Sequence, residues 1–302
     1  MISLFPKPDF SMKRLGRPAV HAKRNPDVLP AQLSPQQVKV EARRLLAGGL
    51  PPRIWRVVDL LFAGGVLSAR QLDIPASTLR RWAHAGLITR LPFSSEEIKA
   101  GMRELGLQDE QPLLYCLGPL GMEVASIRYE VLPASGYMGY PLMRILHDVV
   151  VSEIVLELGR EFGKRGWKVD WYGKYESTLT DSSGHVILEP DAFIYIQKED
   201  WDISFAVEYH NEDKLTRAAD KVTRYEHACA KGNWRDRWEV ETFPSVLAVF
   251  RHAIVGEGYK RAVQNQRREV KYFGKVLAHF QEGRYLEWVD VRSLTKQKIL
   301  PE

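Results

Sequence analysis

The chain has 302 residues, 45% of them hydrophobic and 27% charged, enough for two domains with cores of their own. No run approaches the roughly 18 uncharged apolar residues of a membrane span, and Lys7 and Asp9 interrupt the start before a secretory apolar region can form, so a cytoplasmic protein is expected. Two cysteines, Cys116 and Cys229, exclude a disulfide framework and a cysteine-rich zinc module, while a formal charge of +5 favours a polyanionic partner.

Residues 1–35 set Lys7, Lys13, Arg14, Arg17, Lys23 and Arg24 against Asp9 and Asp27, and Pro6, Pro8, Pro18, Pro26 and Pro30 prevent regular structure. This reads as a flexible basic arm. Arg17, between Gly16 and Pro18, resembles the Gly-Arg-Pro core of minor-groove arms, although Leu15 stands where an Arg is usual. Contact with the DNA backbone without sequence preference is the plainer use of such an arm.

Residues 36–47 are expected to be helical, ending at Gly48-Gly49. Pro51-Pro52 restarts a helix whose apolar face is Ile54, Val57, Val58, Leu60 and Leu61, closed by Gly64-Gly65. A short turn at 68–72 follows. Ser77 is then expected to cap a helix over 78–85 that carries Thr78, Arg80, Arg81 and His84. Helix, short helix, tight turn and basic helix are the order of a helix-turn-helix. Strands at 89–92 and 113–117 would pair as its wing, with Arg90 on the wing, and a helix starts at Gly118. Residues 36–128 are therefore expected to form a winged-helix DNA-binding domain. The alternative is a helical protein-interaction module on the same framework.

After a linker at 129–140, the second domain is expected to span 141–302. It opens with a helix at 141–164, on which Glu153 and Glu157 lie one turn apart. Strands follow at 167–171, 192–196 and 203–207, the last two as a hairpin. A helix over 213–230 puts Lys214, Arg217, Lys221 and Arg224 in one basic stripe, with Ala218, Val222, Tyr225 and Cys229 opposite. A strand at 245–250 leads to a long helix over 258–281 with Arg267, Lys271 and Lys275 on its basic face. An edge strand is expected at 285–289.

The hairpin carries the chemistry. Pro190-Asp191 opens one strand, and Glu208-Tyr209-His210 ends the next. Two carboxylates held close can grip a divalent ion. This arrangement resembles the PD-(D/E)XK nuclease-like core, whose order is αβββαβ, with His210 standing where that signature has Lys. Combined with a winged helix, it resembles the plasmid replication-relaxation family through Leu188-Glu189-Pro190-Asp191, Glu208, Lys221 and Tyr225. The resemblance implies an α+β, α/β two-domain protein of a mobile element that binds double-stranded DNA on a nuclease-like scaffold. The alternative it implies is a Mg²⁺- or Mn²⁺-dependent endonuclease. In that case Asp191 and Glu208 hold the metal, Glu153 assists, and Lys221 or His210 completes the catalytic set. A relaxase, a replication or recombination protein, and a second copy of the chain are the further partners it brings into view.

Overall fold

The computed structural model describes residues 34–108, 112–264 and 269–301. The basic arm, with Arg17, lies outside the described residues apart from its last two positions, and so does Arg267. The protein is a mixed α+β chain that divides into two compact units, with the boundary between Ser152 and Glu153 inside one helix.

In the N-terminal unit α1 (Pro35–Ala47) begins at a capping box: Gln37 N donates to the Ser34 hydroxyl while Ser34 N donates to the Gln37 side chain. α2 (Pro52–Gly64) buries Val57, Val58, Leu60, Leu61 and Phe62. Then come β1 (Leu67–Ser68), α3 (Ala69–Leu72) and α4 (Ala76–His84). The expected Ser77 cap is corrected. α4 starts earlier because the Pro75 carbonyl accepts the first helical bonds, from Thr78 N and Leu79 N at 2.9 and 3.0 Å.

β2 (Ile88–Arg90) and β3 (Leu114–Leu117) pair antiparallel, Ile88 with Leu117 and Arg90 with Tyr115. No tight hairpin joins them, because α5 (Ser95–Glu104) intervenes. Its signal was present in the sequence as a second capping box, Ser94 with Glu97, ahead of the buried pair Ile98 and Met102. The three strands form a sheet in the order β1-β3-β2.

α6 (Pro119–Tyr129) is seated directly on the turn that follows α4. Gly118 N donates to the Leu87 carbonyl and Leu120 N to the Gly86 carbonyl, at 3.0 and 2.9 Å, which satisfies amides left free at the helix start. A Cβ at Gly121 would stand 2.1 Å from the Leu87 carbonyl oxygen. Within 129–140, the segment expected to be a linker, Tyr137 is buried and its ring covers Gly65. α7 (Leu142–Lys164) follows.

The C-terminal unit continues with β4 (Lys168–Gly173), α8 (Lys174–Ser177) and a small hairpin of β5 (Leu179–Thr180) and β6 (Val186–Leu188). β7 (Ala192–Lys198) and β8 (Trp201–His210) follow, then α9 (Leu215–Lys231) and α10 (Trp234–Trp238). The chain ends with β9 (Ser245–Phe250), α11 (Ala253–Gln264), β10 (Tyr272–Val276), α12 (Leu277–Gln281), β11 (Glu287–Asp290) and β12 (Lys296–Lys298). Seven of these strands form one sheet, β12-β11-β10-β9-β8-β7-β4. β4, β7 and β8 are an antiparallel meander. β8, β9 and β10 run parallel, and the stretches between them carry α9 and α11. Parallel neighbours need such crossovers, and strands covered this way read as continuous apolar runs. Val246, Leu247, Ala248 and Val249 are such a run, all fully buried.

Two expectations are corrected here. The single helix over 258–281 does not form: α11 ends at Gln264, and β10 runs from Tyr272 as the parallel neighbour of β9. The Glu226 carboxylate accepts Glu269 N and Val270 N at 3.0 and 3.4 Å and feeds the chain into the sheet. Tyr272, Phe273 and Val276 have the aromatic and β-branched side chains a pleated surface favours. The strand expected at 285–289 forms as β11, but β12 covers it, so it is no edge.

Gly121 provides a test of the N-terminal packing. Alanine has the better helix propensity by about 1 kcal/mol, but overpacking costs about 1–3 kcal/mol and a carbonyl oxygen cannot retreat as a flexible side chain does. Gly121→Ala should therefore lower stability by about 1–2 kcal/mol in a denaturant titration. A gain in stability would show that α6 is not held against Leu87.

Candidate functional site

The head of the β7–β8 hairpin gathers four of the five expected catalytic residues. Pro190 places Asp191 just before β7, and its carboxylate accepts the Tyr209 amide at 2.9 Å across the hairpin. β8 is buried from Ser204 to its end, so Glu208 and His210, two apart on one face, both point into the helical layer. Glu208 is 0% exposed. Its Oε1 accepts the Tyr225 hydroxyl at 2.6 Å, and its Oε2 lies 2.6 Å from the Lys221 ammonium. Lys221 and Tyr225 are four apart on α9 and so share one face. Lys221 also donates to the Glu189 carbonyl at 3.3 Å, and the Glu189 carboxylate lies 3.9 Å from Lys174.

The electrostatics follow from burial. Desolvation pushes the Glu208 carboxyl above its ordinary range, with Asp191 adding to the push and Lys221 and His210 opposing it. Burial works against the Lys221 ammonium as well, yet Glu208, Asp191 and Glu189 together hold it above the usual lysine value. Tyr225 is pushed well above the phenol range, first by burial and then by Glu208, so it remains a hydroxyl that donates.

His210 is held from both ring nitrogens. Nε2 lies 2.9 Å from the Tyr259 hydroxyl and Nδ1 lies 3.5 Å from Glu212, whose carboxyl is lowered chiefly by that contact. Tyr259 and Glu212 complete the cluster and were not among the residues expected to act. Tyr225 was carried by the resemblance, but the expectation that it lies opposite Lys221 is corrected: both reach the Glu208 carboxylate. Glu153 lies elsewhere, with Glu157 and Glu161 among the charges beside the Tyr285 hydroxyl.

This donor set does not fit a divalent ion. Both oxygens of Glu208 already meet groups of the chain, Asp191 receives a backbone amide, and among the described residues no three His, Cys, Asp or Glu side chains converge as ligands. An ammonium stands where the hairpin carboxylates would need a cation.

The expected DNA-facing residues divide. On α4, Leu79 and Trp82 are buried while Arg80, Arg81 and His84 are exposed and Thr78 is half-buried. Arg90, exposed at the end of β2, and Arg80 both act on the Tyr115 hydroxyl, which burial raises and these two cations lower. On α9, Lys214, Arg217 and Arg224 are exposed, with Arg217 3.9 Å from Glu212, whereas Lys221 leaves the stripe for Glu208. Lys271 is exposed. Lys275 is corrected: it lies on β10, buried, and donates to the Arg284 carbonyl, so it cannot meet a phosphate on the surface.

Removing one partner of a buried ion pair costs about 3–5 kcal/mol, because the other charge is left uncompensated. The Lys221 side chain is 25% exposed, which puts Lys221→Met near the lower end, at about 3 kcal/mol. The double variant with Glu208→Gln should lose clearly less than the sum of the two single changes. Additive losses in a denaturant double-mutant cycle would dissolve the pair. No protein-family model, no curated protein and no solved structure matches the chain.

Proposed function

We propose that the protein binds double-stranded DNA through α4 and the β2–β3 strands, and that its C-terminal sheet is a nuclease-like scaffold that does not cut. The observation that carries this is the division of α4: Leu79 and Trp82 anchor it, and Arg80, Arg81 and His84 are left on its solvent face, with Arg80 and the exposed Arg90 both acting on the Tyr115 hydroxyl. A helix-turn-helix presents its second helix in this way, with anchoring apolar residues behind and cationic residues free for phosphates and base edges. The strand order β1-β3-β2, with α3 and α4 between β1 and β2, supports a winged-helix reading of this unit.

The run α7, β4, β7, β8, α9, β9 supports the αβββαβ reading of the second unit, with Asp191 and Glu208 at the positions of the nuclease-like acids. Metal-assisted cleavage needs an open cation position with a polarisable water. Here Lys221 and Tyr225 close the Glu208 carboxylate. Replication, relaxation or mobilisation of a plasmid is the setting this combination fits.

A mobility-shift titration at fixed salt tests the reading. Each good contact is worth ~1–3 kcal/mol, so replacing Arg80 and Arg81 together with Ala should weaken DNA binding more than tenfold. Neutralising Lys214, Arg217 and Arg224 should weaken binding equally across sequences and flatten the salt dependence by roughly 0.9 per lost phosphate contact. Unchanged affinity of the Arg80/Arg81 variant would remove α4 as the reading element. An unchanged salt slope would make the α9 stripe a solvated helix face.

A further inference from the structure

Trp201 opens β8 with 63% of its surface exposed, and among the described residues no other Phe, Trp or Tyr is exposed to this degree. An indole left in water forgoes the burial that makes tryptophan a core residue, and its free face is a platform for another ring. The register shows what stands beside it. Lys198 pairs with Trp201 across the β7–β8 turn, so the two side chains share one face of the hairpin with Ile196, Ile203 and Phe205. This is the face that α7 covers, because Phe162 of α7 stacks on Phe205 at 5.8 Å.

The chain leaving α7 reaches the same corner. A Cβ at Gly166 would stand 4.0 Å from the Lys198 side chain, and Trp167 follows directly. Trp167, Lys198 and Trp201 line a groove of about 820 Å³ together with Arg165, Arg284 and Tyr285. Its charge leans towards cations. Glu161 is engaged by both Lys164 and Arg165, and Glu287 stands opposite Lys298 in the β11–β12 register. Lys198 and Arg284 are exposed, and Glu199 is set against them. Asp202 pairs with Gln197, so it projects to the other face of the sheet.

We propose that this groove binds single-stranded nucleic acid, with a base laid on the Trp201 indole and the sugar-phosphate chain passing Lys198 and Arg284. The bases of a duplex keep their faces against one another, so a stacking platform serves an unpaired strand. Every base has a π-face, which makes such binding tolerant of sequence. Cations exceed acids here only slightly, so stacking supplies more of the affinity than charge does. The site adds to the duplex contact of α4 and does not rest on it.

Fluorescence anisotropy of the full chain at fixed salt, with a labelled oligodeoxythymidylate and an abasic strand of the same length, tests the proposal. The wild-type protein should bind the thymidylate at least fivefold more tightly than the abasic strand, the least that losing one stacked base costs. Trp201→Ala should remove that difference, and Trp201→Phe, which keeps a ring, should preserve it. The variant with Arg80 and Arg81 both changed to Ala should also preserve it, so failure of the α4 reading and failure of this one are seen separately. Equal affinity for the two strands in the wild type, or no binding of either, would overturn the proposal. So would a difference that survives Trp201→Ala, or one that is lost in Trp201→Phe or in the Arg80/Arg81 variant.

Discussion

A carboxylate buried completely in the middle of a sheet is the constraint on which the C-terminal unit depends. Moving a carboxylate out of water costs several kcal/mol even after relaxation, and the cost falls only when charge and hydrogen bonds are supplied together. Glu208 obtains both from α9, with Lys221 and Tyr225 one turn apart. The helix is thereby fixed in rotation and in register over β8. The polar tie continues outward, because Tyr272 on β10 donates to the Glu226 carboxylate and the Val222 carbonyl, again on α9. Glu226 in turn receives the amides that lead into β10. One helix is therefore tied by polar contacts to β8 and β10, the two strands that flank β9 in the parallel part of the sheet.

The same constraint bears on chemistry. A pair of acids at a hairpin head repels itself unless a cation or proton intervenes. In a metal-dependent nuclease the cation is exchangeable and brings a water. An ammonium tethered to α9 neutralises charge but brings no coordinated water, and it is raised above the normal lysine range by the acids it serves. His210, at the position where a second lysine would be sought, is engaged by Tyr259 and Glu212. The Glu208 charge is thus balanced by the chain's own ammonium, and a DNA-binding role asks nothing more of the cluster than rigidity.

Much of this was legible in the sequence. The hairpin and α9 showed clear periods of two and of 3.6, so Asp191, Glu208 and Lys221 could be placed before any coordinates. The failure at 258–281 has a physical cause. Val263, Val270, Phe273, Leu277 and Phe280 recur every three to seven residues, a spacing that helix periodicity tolerates, but the segment is a helix, a strand and a short second helix in succession. Gly274 was the discordant residue, since it weakens a helix interior yet gives Phe250 its room. Lys275 was misplaced with it, from a basic surface stripe to a buried strand. The environment of His210 was not legible at all, because Tyr259 reaches it from 49 residues away through the packing of α11.

The most direct test of the closed Glu208 cluster is a thermal melt of the wild-type protein with and without millimolar Mg²⁺ or Mn²⁺, paired with incubation of supercoiled plasmid under the same conditions. A ligand that binds the folded state raises its melting point by mass action. The account predicts an unchanged midpoint and an intact plasmid that the protein nevertheless retards in a gel. A midpoint raised by Mn²⁺, together with nicking that Glu208→Gln abolishes, would contradict it and make the hairpin a working metal centre.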